Sequence, residues 1–207
     1  MQKIWVIMRV GGKMSKVVFI KVLIGISGSG KSTYARQLAK DYNEEICSTD
    51  KFVDEHAMSR FNEDGAKLSY DQAFDDIQKN DLFKVITGRF YNDIEKNIKN
   101  GNNFIIDRTN LSARARASLI KELRELGKKY GKAVVITGII FNPSTSVILE
   151  RLKQRIILEN KRIPDNVLDD QIKYFEVPTK AEDFDILENI KNIWGKVYIK
   201  NGVTENW

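Results

Sequence analysis

The stretch GISGSGKST, from Gly25 to Thr33, constrains this chain more than any other part of the sequence. It matches the phosphate-binding pattern G-x-x-x-x-G-K-[ST] at Gly25, Gly30, Lys31 and Ser32. The apolar run VVFIKVLI precedes it and predicts a buried strand, and apolar residues at helical spacing follow it. A glycine-rich turn between a strand and a helix can close its backbone N–H groups around phosphate oxygens. The sequence therefore predicts a phosphate-binding loop (P-loop).

The side chains of this loop predict its ligands. Lys31 can reach the β- and γ-phosphates of a nucleotide, and Ser32 can hold Mg²⁺. We therefore expect ATP and Mg²⁺ as cofactors. The predicted phosphate-binding residues are Gly25, Ser27, Gly28, Ser29, Gly30, Lys31, Ser32 and Thr33.

Strands and helices alternate along the chain. Alternation of this kind predicts a parallel sheet with helices on both faces, the three-layer α/β sandwich of P-loop NTPases, here with a helical lid. A long helical stretch runs from about Phe74 to Ile98, and Gly88 is expected to break or bend it. The predicted strands are Val17–Ile24, Glu44–Thr49, Phe104–Asp107, Ala133–Phe141 and Phe184–Ile190.

Length and composition predict one domain. The chain has 207 residues, 42% of them apolar, and we expect a single kinase-sized domain over residues 15–207 with a lid at about 151–164. Residues 1–14 form an extension that is either loosely ordered or an added edge strand. No apolar run approaches the roughly 18 residues that would predict a membrane span.

Two residue types occur once each, Cys47 and His56. A single cysteine excludes an intrachain disulfide and favours a reducing compartment, so we expect a cytoplasmic protein. One histidine and one cysteine also exclude a His/Cys zinc site and a Ser-His-Asp triad.

Catalytic groups in such folds lie at the carboxyl ends of the strands. Asp50 follows the second predicted strand, which we expect beside the P-loop strand, and a carboxylate there could accept a proton from a hydroxyl acceptor. The same residue could instead cap the following helix. Asp54 is a nearby competitor for the role of base.

The third predicted strand ends in Asp107, Arg108, Thr109 and Asn110. Asp107 could hold the metal as a Walker-B aspartate does, or it could orient the acceptor. The short polar side chains beside it could contact an acceptor, or the four residues could form a helix-entry turn.

The segment from Arg151 to Pro164 is basic. It carries five basic residues and one acidic residue, a net charge of +4. An arginine on a mobile lid can neutralise charge on a transferring phosphoryl group, and the alternative is a solvated basic helix end. Arg155 is the first candidate for this arginine and Arg151 the second.

Four blocks in this order resemble the 5′-hydroxyl polynucleotide kinase branch of P-loop kinases, including phage and animal enzymes. The resemblance covers about Val17 to Trp194. The blocks are GISGSGKST, STDKF with Asp50, ITGRFYNDIEKNIKNGNNFIIDRTNLSARAR, and RIPDNVLDDQIKYFEVPTKAEDFDILENI. The first block is common to P-loop NTPases, and the set of four is far more specific.

The resemblance implies ATP-dependent transfer to the 5′-hydroxyl of DNA or RNA in nucleic-acid end repair. By it, Asp50 would deprotonate the hydroxyl, while Lys31 and a lid arginine would stabilise the γ-phosphoryl group. Ser32 would hold Mg²⁺. The residues that would shape the acceptor site are Asp107, Arg108, Thr109, Asn110, Ile163 and Val167.

The chain departs from the family pattern in two respects. Val53 stands where phage enzymes have an arginine that contacts acceptor phosphate, and Arg108 stands where an asparagine is usual. The phosphatase domain that often accompanies these kinases is not apparent, since no D-x-D-G-T motif occurs.

The distribution of charge along the sequence indicates where a nucleic-acid acceptor would bind. From Asp41 to Asp76 eleven acidic and three basic residues give −8, and from Ser112 to Lys132 seven basic and two acidic give +5. A nucleic acid would therefore approach from the lid or from the basic helix, with Arg114, Arg116 and Arg124 as contacts.

Two other functions remain open: a kinase of a small-molecule, nucleoside-like or modified-base hydroxyl, and a non-catalytic nucleotide-binding module. The oligomeric state is not predicted.

Overall fold

The computed structural model describes residues 7–10, 13–159 and 161–190. The other residues of the predicted extension and domain, 1–6, 11–12, 160 and 191–207, lie outside the described residues. The elements are β1 (Ile7–Val10), β2 (Lys13–Ile24), α1 (Lys31–Tyr42), β3 (Glu45–Ser48), α2 (Thr49–Ser59), α3 (Tyr70–Lys79), α4 (Phe83–Asn100), β4 (Phe104–Asp107), α5 (Ala113–Lys129), β5 (Ala133–Phe141), α6 (Thr145–Glu159), α7 (Asp165–Lys173) and β6 (Ile186–Ile190).

The predicted α/β fold is confirmed. Five strands form a parallel sheet in the order β3-β4-β2-β5-β6, and β1 pairs antiparallel with the first residues of β2. Within the described part of the chain, no helix is long and apolar enough to cross a membrane.

The central strand β2 is apolar on both of its faces. Val18, Ile20 and Val22 point into the larger core, which helices α2 to α5 cover, while Leu23 points into the smaller core beside α1. Strand side chains alternate between faces, so burial on both faces requires the nearly continuous apolar run that the sequence shows.

The strand order differs from the expectation for Asp50. We predicted that the strand before Asp50 lies beside the P-loop strand, but β4 lies between β3 and β2. The crossover from β2 through α1 leaves a gap of one strand, which β4 fills after α2, α3 and α4. Strand adjacency is decided by this later packing, which local sequence patterns do not encode.

The predicted break at Gly88 is also wrong. Gly88 lies inside α4, and the break falls between α3 and α4 at Asp81, whose φ is 52°. The Asn80 side chain donates a hydrogen bond to the Asp76 carbonyl at 2.8 Å, which satisfies the end of α3. Asn and Asp tolerate turn conformations because their short polar side chains bond the local backbone.

A buried arginine joins the middle of the chain to its last third. Arg116 on α5 is fully buried, and its guanidinium donates two hydrogen bonds to Glu182, at 2.6 and 2.8 Å. The same group donates to the carbonyls of Asn110 and Leu111 at 3.0 and 2.7 Å. This pairing lowers the pKa of the Glu182 carboxyl, chiefly through the hydrogen bonds from Arg116. Arg116 therefore holds the loop after β4 against the segment before β6.

We expect Arg116→Met to destabilise the fold by about 3–5 kcal/mol, because it leaves the Glu182 carboxylate and two carbonyls without their donor. Urea unfolding followed by circular dichroism measures this loss. Lys84→Ala is the control, because Lys84 pairs with Asp81 at 3.7 Å on the surface and both side chains are more than 80% exposed; its effect should stay below about 1 kcal/mol. Equal stability of Arg116→Met and wild type would refute the structural role.

Candidate active site

The P-loop connects β2 to α1, and its glycines adopt conformations that other residues avoid. Gly28 and Gly30 have φ values of 78° and 103°. Gly30 caps the N-terminus of α1, so the first N–H groups of that helix face the loop interior. A helix N-terminus with converging N–H groups is a favourable site for phosphate.

Lys31 lies inside the loop. Its side chain is buried, and Nζ donates hydrogen bonds to the Ile26 carbonyl at 2.8 Å and to Ser29 Oγ at 3.4 Å. Burial lowers the pKa of the ammonium to about 8, the carboxylates of Asp107 and Asp50 oppose that shift, and Arg155 adds to it. The ammonium is thus held ready for an anion that would stabilise its charge.

Asp107 ends β4 directly beside β2, opposite Leu23. Burial raises the pKa of its carboxyl, while a hydrogen bond from Ser32 and the charge of Lys31 lower it. A hydroxyl and a carboxylate are the hard oxygen donors that Mg²⁺ takes alongside phosphate oxygens. The two residues predicted to bind metal are therefore neighbours, and their chemistry fits the ion. Among the described residues, no group of three or more His, Cys, Asp or Glu side chains could hold a metal by itself.

Asp50 lies in the first turn of α2 and is exposed. Its N–H donates to the Ser48 side chain at 3.2 Å, so Ser48 is the helix cap and the carboxylate of Asp50 is not used for capping. Although one strand, β4, separates β3 from β2, the charge of Asp50 acts on the pKa values of both Lys31 and Asp107. The structure thus brings these three residues together.

Two of the residues after Asp107 form hydrogen bonds with the start of the P-loop and the end of β2. The Thr109 carbonyl accepts the Gly25 N–H at 3.0 Å, and the Asn110 side chain donates to the Leu23 carbonyl at 2.7 Å. The guanidinium of Arg108 lies 4.9 Å from the centroid of the Phe90 ring. Contact of these residues with an acceptor stays a prediction; here Thr109 and Asn110 support the loop, and Arg108 packs against α4.

The two candidate lid arginines lie in different places. Arg151 Nη1 donates to the Ser29 carbonyl at 3.0 Å and so grips the P-loop backbone. Arg155, one turn further along α6, acts electrostatically on Lys31 and on Tyr70. Arg155 is therefore the arginine whose charge acts between the P-loop and α3.

Sequence reasoning missed a cleft beside Asp50. Its volume is about 240 Å³, and it is lined by Asp54, Ala57, Met58, Lys67, Leu68, Ser69, Tyr70 and Lys161. Lys161 Nζ bonds Asp54 at 2.6 Å and lies 4.6 Å from the centroid of the Tyr70 ring, which joins the end of the lid to α2 and α3. Burial raises the pKa of Tyr70, and the charges of Asp50 and Asp54 raise it further. The sequence carried one signal for this region: the Ser69-x-x-Gln72 capping box, which fixes the start of α3 at Tyr70.

The two predicted apolar acceptor residues lie outside this cleft. Ile163 packs partly buried against the cluster of Ile26, Ile148 and Leu168 under the P-loop. Val167 is half-buried on α7. Their proposed contact with an acceptor nucleotide stays a prediction.

The buried ammonium of Lys31 makes stability depend on pH. The folded pKa is near 8 and the ordinary value is 10.5, so the unfolded state binds more protons between these pH values. Stability must therefore rise with pH across this window, and at pH 7 the buried charge costs about 3 kcal/mol.

We expect Lys31→Met to be more stable than wild type at pH 7 by about 1–3 kcal/mol, with the difference shrinking towards pH 10.5. Urea titrations at several pH values, without nucleotide, measure both quantities. Lys153→Met on the exposed face of α6 should show no such trend. A Lys31→Met protein that is less stable than wild type at pH 7 would contradict the burial argument.

Comparison with known proteins identifies the family of the chain. A family profile described as AAA domain, AAA_33, matches residues 20–178, which is more than half of the chain. No curated protein sequence is significantly similar to the chain.

Solved structures share the fold at low sequence identity. A putative kinase from Chloroflexus aurantiacus J-10-fl has a TM-score of 0.60 and 16% identity, with 84% of each chain covered. A fungal RNA kinase has a TM-score of 0.51 and 12% identity, covering 92% of this chain and 79% of its own. An unliganded sugar kinase from Janibacter sp. HTCC2649 has a TM-score of 0.50 and 19% identity, covering 83% and 85%.

These likenesses concern the fold, and they do not single out the polynucleotide kinases. The matched region spans the P-loop, Asp50, Asp107 and both lid arginines. The chain therefore belongs to the AAA domain family AAA_33, and its fold is that of P-loop kinases.

Proposed function

We propose that this protein transfers the γ-phosphate of ATP to a hydroxyl, and that the acceptor is the 5′-hydroxyl end of DNA or RNA. One observation supports the phosphotransfer: the carboxylates of Asp50 and Asp107 both lie close enough to the Lys31 ammonium at the carboxyl edge of the sheet for their charges to act on it. A nucleotide-binding module without transfer activity needs the lysine but has no use for an exposed carboxylate at this position. The four sequence blocks support the nucleic-acid acceptor.

In this mechanism the acceptor oxygen forms a bond to the γ-phosphorus as the bond to the bridging oxygen of ADP breaks. Asp50 accepts the hydroxyl proton, and its exposure leaves it open to the acceptor. Lys31 and Arg155 offset the charge on the transferring group. Ser32 and Asp107 would hold Mg²⁺, which when bound would supply positive charge to offset the charge of the phosphate oxygens.

A second candidate is transfer to a small hydroxyl compound, and two observations favour it. The cleft beside Asp50 has a volume of about 240 Å³, which suits a small compound, and its charged lining residues are Asp54, Lys67 and Lys161. In the basic helix that we expected to contact nucleic acid, two arginines also form pairs within the protein. Arg116 is buried with Glu182, and Arg124 bonds Asp183 at 2.8 Å. Charge reversal at Arg116 would therefore test folding instead of nucleic-acid binding.

We expect Asp50→Asn to lower transfer of labelled γ-phosphate by at least about 100-fold, because the amide cannot accept the proton. The assay uses 5′-hydroxyl DNA and RNA oligonucleotides, a mononucleotide and a sugar as parallel acceptors, with MgATP. Asp64→Asn is the matched control, an exposed carboxylate in the same acidic segment.

The acceptors separate the two candidate functions. Labelled oligonucleotides that disappear with Asp50→Asn support the 5′-hydroxyl kinase. Labelling of the small acceptors alone would move the assignment to the second candidate. Full activity of Asp50→Asn on every acceptor would disprove Asp50 as the base.

The lid arginines give a further prediction. Arg155→Ala should lower kcat by about 100-fold or more while ADP affinity changes little, because this charge is needed as the phosphoryl group transfers. Arg151→Ala removes a bond to the loop backbone and should weaken ADP and ATP binding together. Steady-state kinetics with ADP titration calorimetry measures both effects, with Lys153→Ala as the control on the same helix. The reverse pattern would assign the transfer role to Arg151.

A further inference from the structure

The peptide group between Ile26 and Ser27 is held on both of its edges. Its carbonyl accepts a hydrogen bond from Lys31 Nζ at 2.8 Å, and its N–H donates to Gln171 Oε1 at 2.8 Å. The first partner comes from α1 and the second from α7, more than a hundred residues further along the chain. One peptide of the P-loop thus links the loop lysine to the helix that follows the lid.

The orientation of the Gln171 carboxamide is determined by its partner. A backbone N–H can only donate, so the oxygen of the carboxamide must face Ser27 and the amino group, Nε2, must face away. Leu168, three residues earlier on α7, belongs to the apolar cluster with Ile26 and Ile148, and Phe175, beyond the end of α7, packs against that cluster. Gln171 is half-buried.

The position of Lys31 locates this peptide within the nucleotide site. Lysine at this place in the motif reaches the β- and γ-phosphates, and here its ammonium bonds the carbonyl of the same peptide whose N–H bonds Gln171. The carbonyl and N–H of a trans peptide point in opposite directions. A terminal phosphoryl group in front of the peptide would therefore have the Lys31 ammonium on one side and the Gln171 amino group on the other.

We propose that Gln171 is a positioning residue for the γ-phosphate. Its Oε1 stays anchored on the Ser27 N–H, and its Nε2 donates a hydrogen bond to a γ-phosphate oxygen. Side chains that are already held by a second hydrogen bond keep their geometry during reaction. This inference rests on the proposed function, and it adds a neutral donor that distinguishes ATP from ADP.

Two substitutions separate the anchor from the donor. Gln171→Glu keeps an oxygen that can accept the Ser27 N–H, but it replaces the amino group with negative charge. Gln171→Leu removes both groups at similar size. Titration calorimetry with Mg²⁺ compares ADP with the non-hydrolysable β,γ-imido analogue of ATP, and neither measurement needs an acceptor.

We expect Gln171→Glu to weaken binding of the ATP analogue by about 10-fold or more, since a charge-assisted hydrogen bond is lost and repulsion is added, with ADP affinity within about 2-fold of wild type. Gln171→Leu should weaken binding of the analogue by less than Gln171→Glu. Asp169→Asn, an exposed change on the same helix, should leave both affinities unchanged.

The opposite pattern overturns the proposal. If Gln171→Glu behaves as wild type while Gln171→Leu weakens both nucleotides equally, Gln171 only anchors the loop. A wild-type protein that binds ADP and the analogue but transfers no phosphate would contradict the proposed function. The binding comparison would still decide the role of Gln171. A wild-type protein that binds neither nucleotide would overturn both.

Discussion

The end of the P-loop strand has no room for a side chain, and the geometry of the site depends on this close approach. A Cβ atom on Gly25 would lie 2.4 Å from the carbonyl oxygen of Phe141 in β5, and the φ of Gly25 is 152°. On the other side, the Gly25 N–H bonds the Thr109 carbonyl. The loop therefore starts from a fixed point between β5 and the loop that follows β4, and its N–H groups are directed before any nucleotide binds.

The lid is tied to the same loop. Gly28 packs against Leu152 so closely that a Cβ would lie 3.0 Å from its side chain, and Arg151 donates to the Ser29 carbonyl. With Gln171 on the Ser27 N–H, side chains of α6 and α7 hold three consecutive loop residues. Binding or release of a nucleotide at the P-loop must therefore act on both α6 and α7.

The arginines of this protein differ in burial and in the groups on which they act. Arg116 is buried with Glu182, where its four hydrogen bonds offset the cost of desolvating its charge. Arg155 acts on Lys31 and Tyr70 across the site. The net charge of a sequence segment does not distinguish a buried, paired arginine from one that acts on the site, because it does not show which group each arginine contacts. The acceptor therefore has to be argued from the cleft beside Asp50 and from the sequence blocks, and not from the basic helix.

The sequence by itself determined the P-loop, the parallel strands and the helices around them. These depend on glycine conformation and on apolar spacing over a few residues, which local sequence records. It also identified Asp107 at a strand end and Ser32 in the P-loop motif as the residues that we expect to bind metal. Only the tertiary structure decided that β4 separates β3 from β2, that the helix breaks at Asp81, and that Tyr70, Lys161 and Gln171 join the site. The strand order and the contacts of Tyr70, Lys161 and Gln171 depend on partners distant in sequence, which packing of the whole chain selects. The break at Asp81 is instead a local turn that the spacing of apolar residues does not mark.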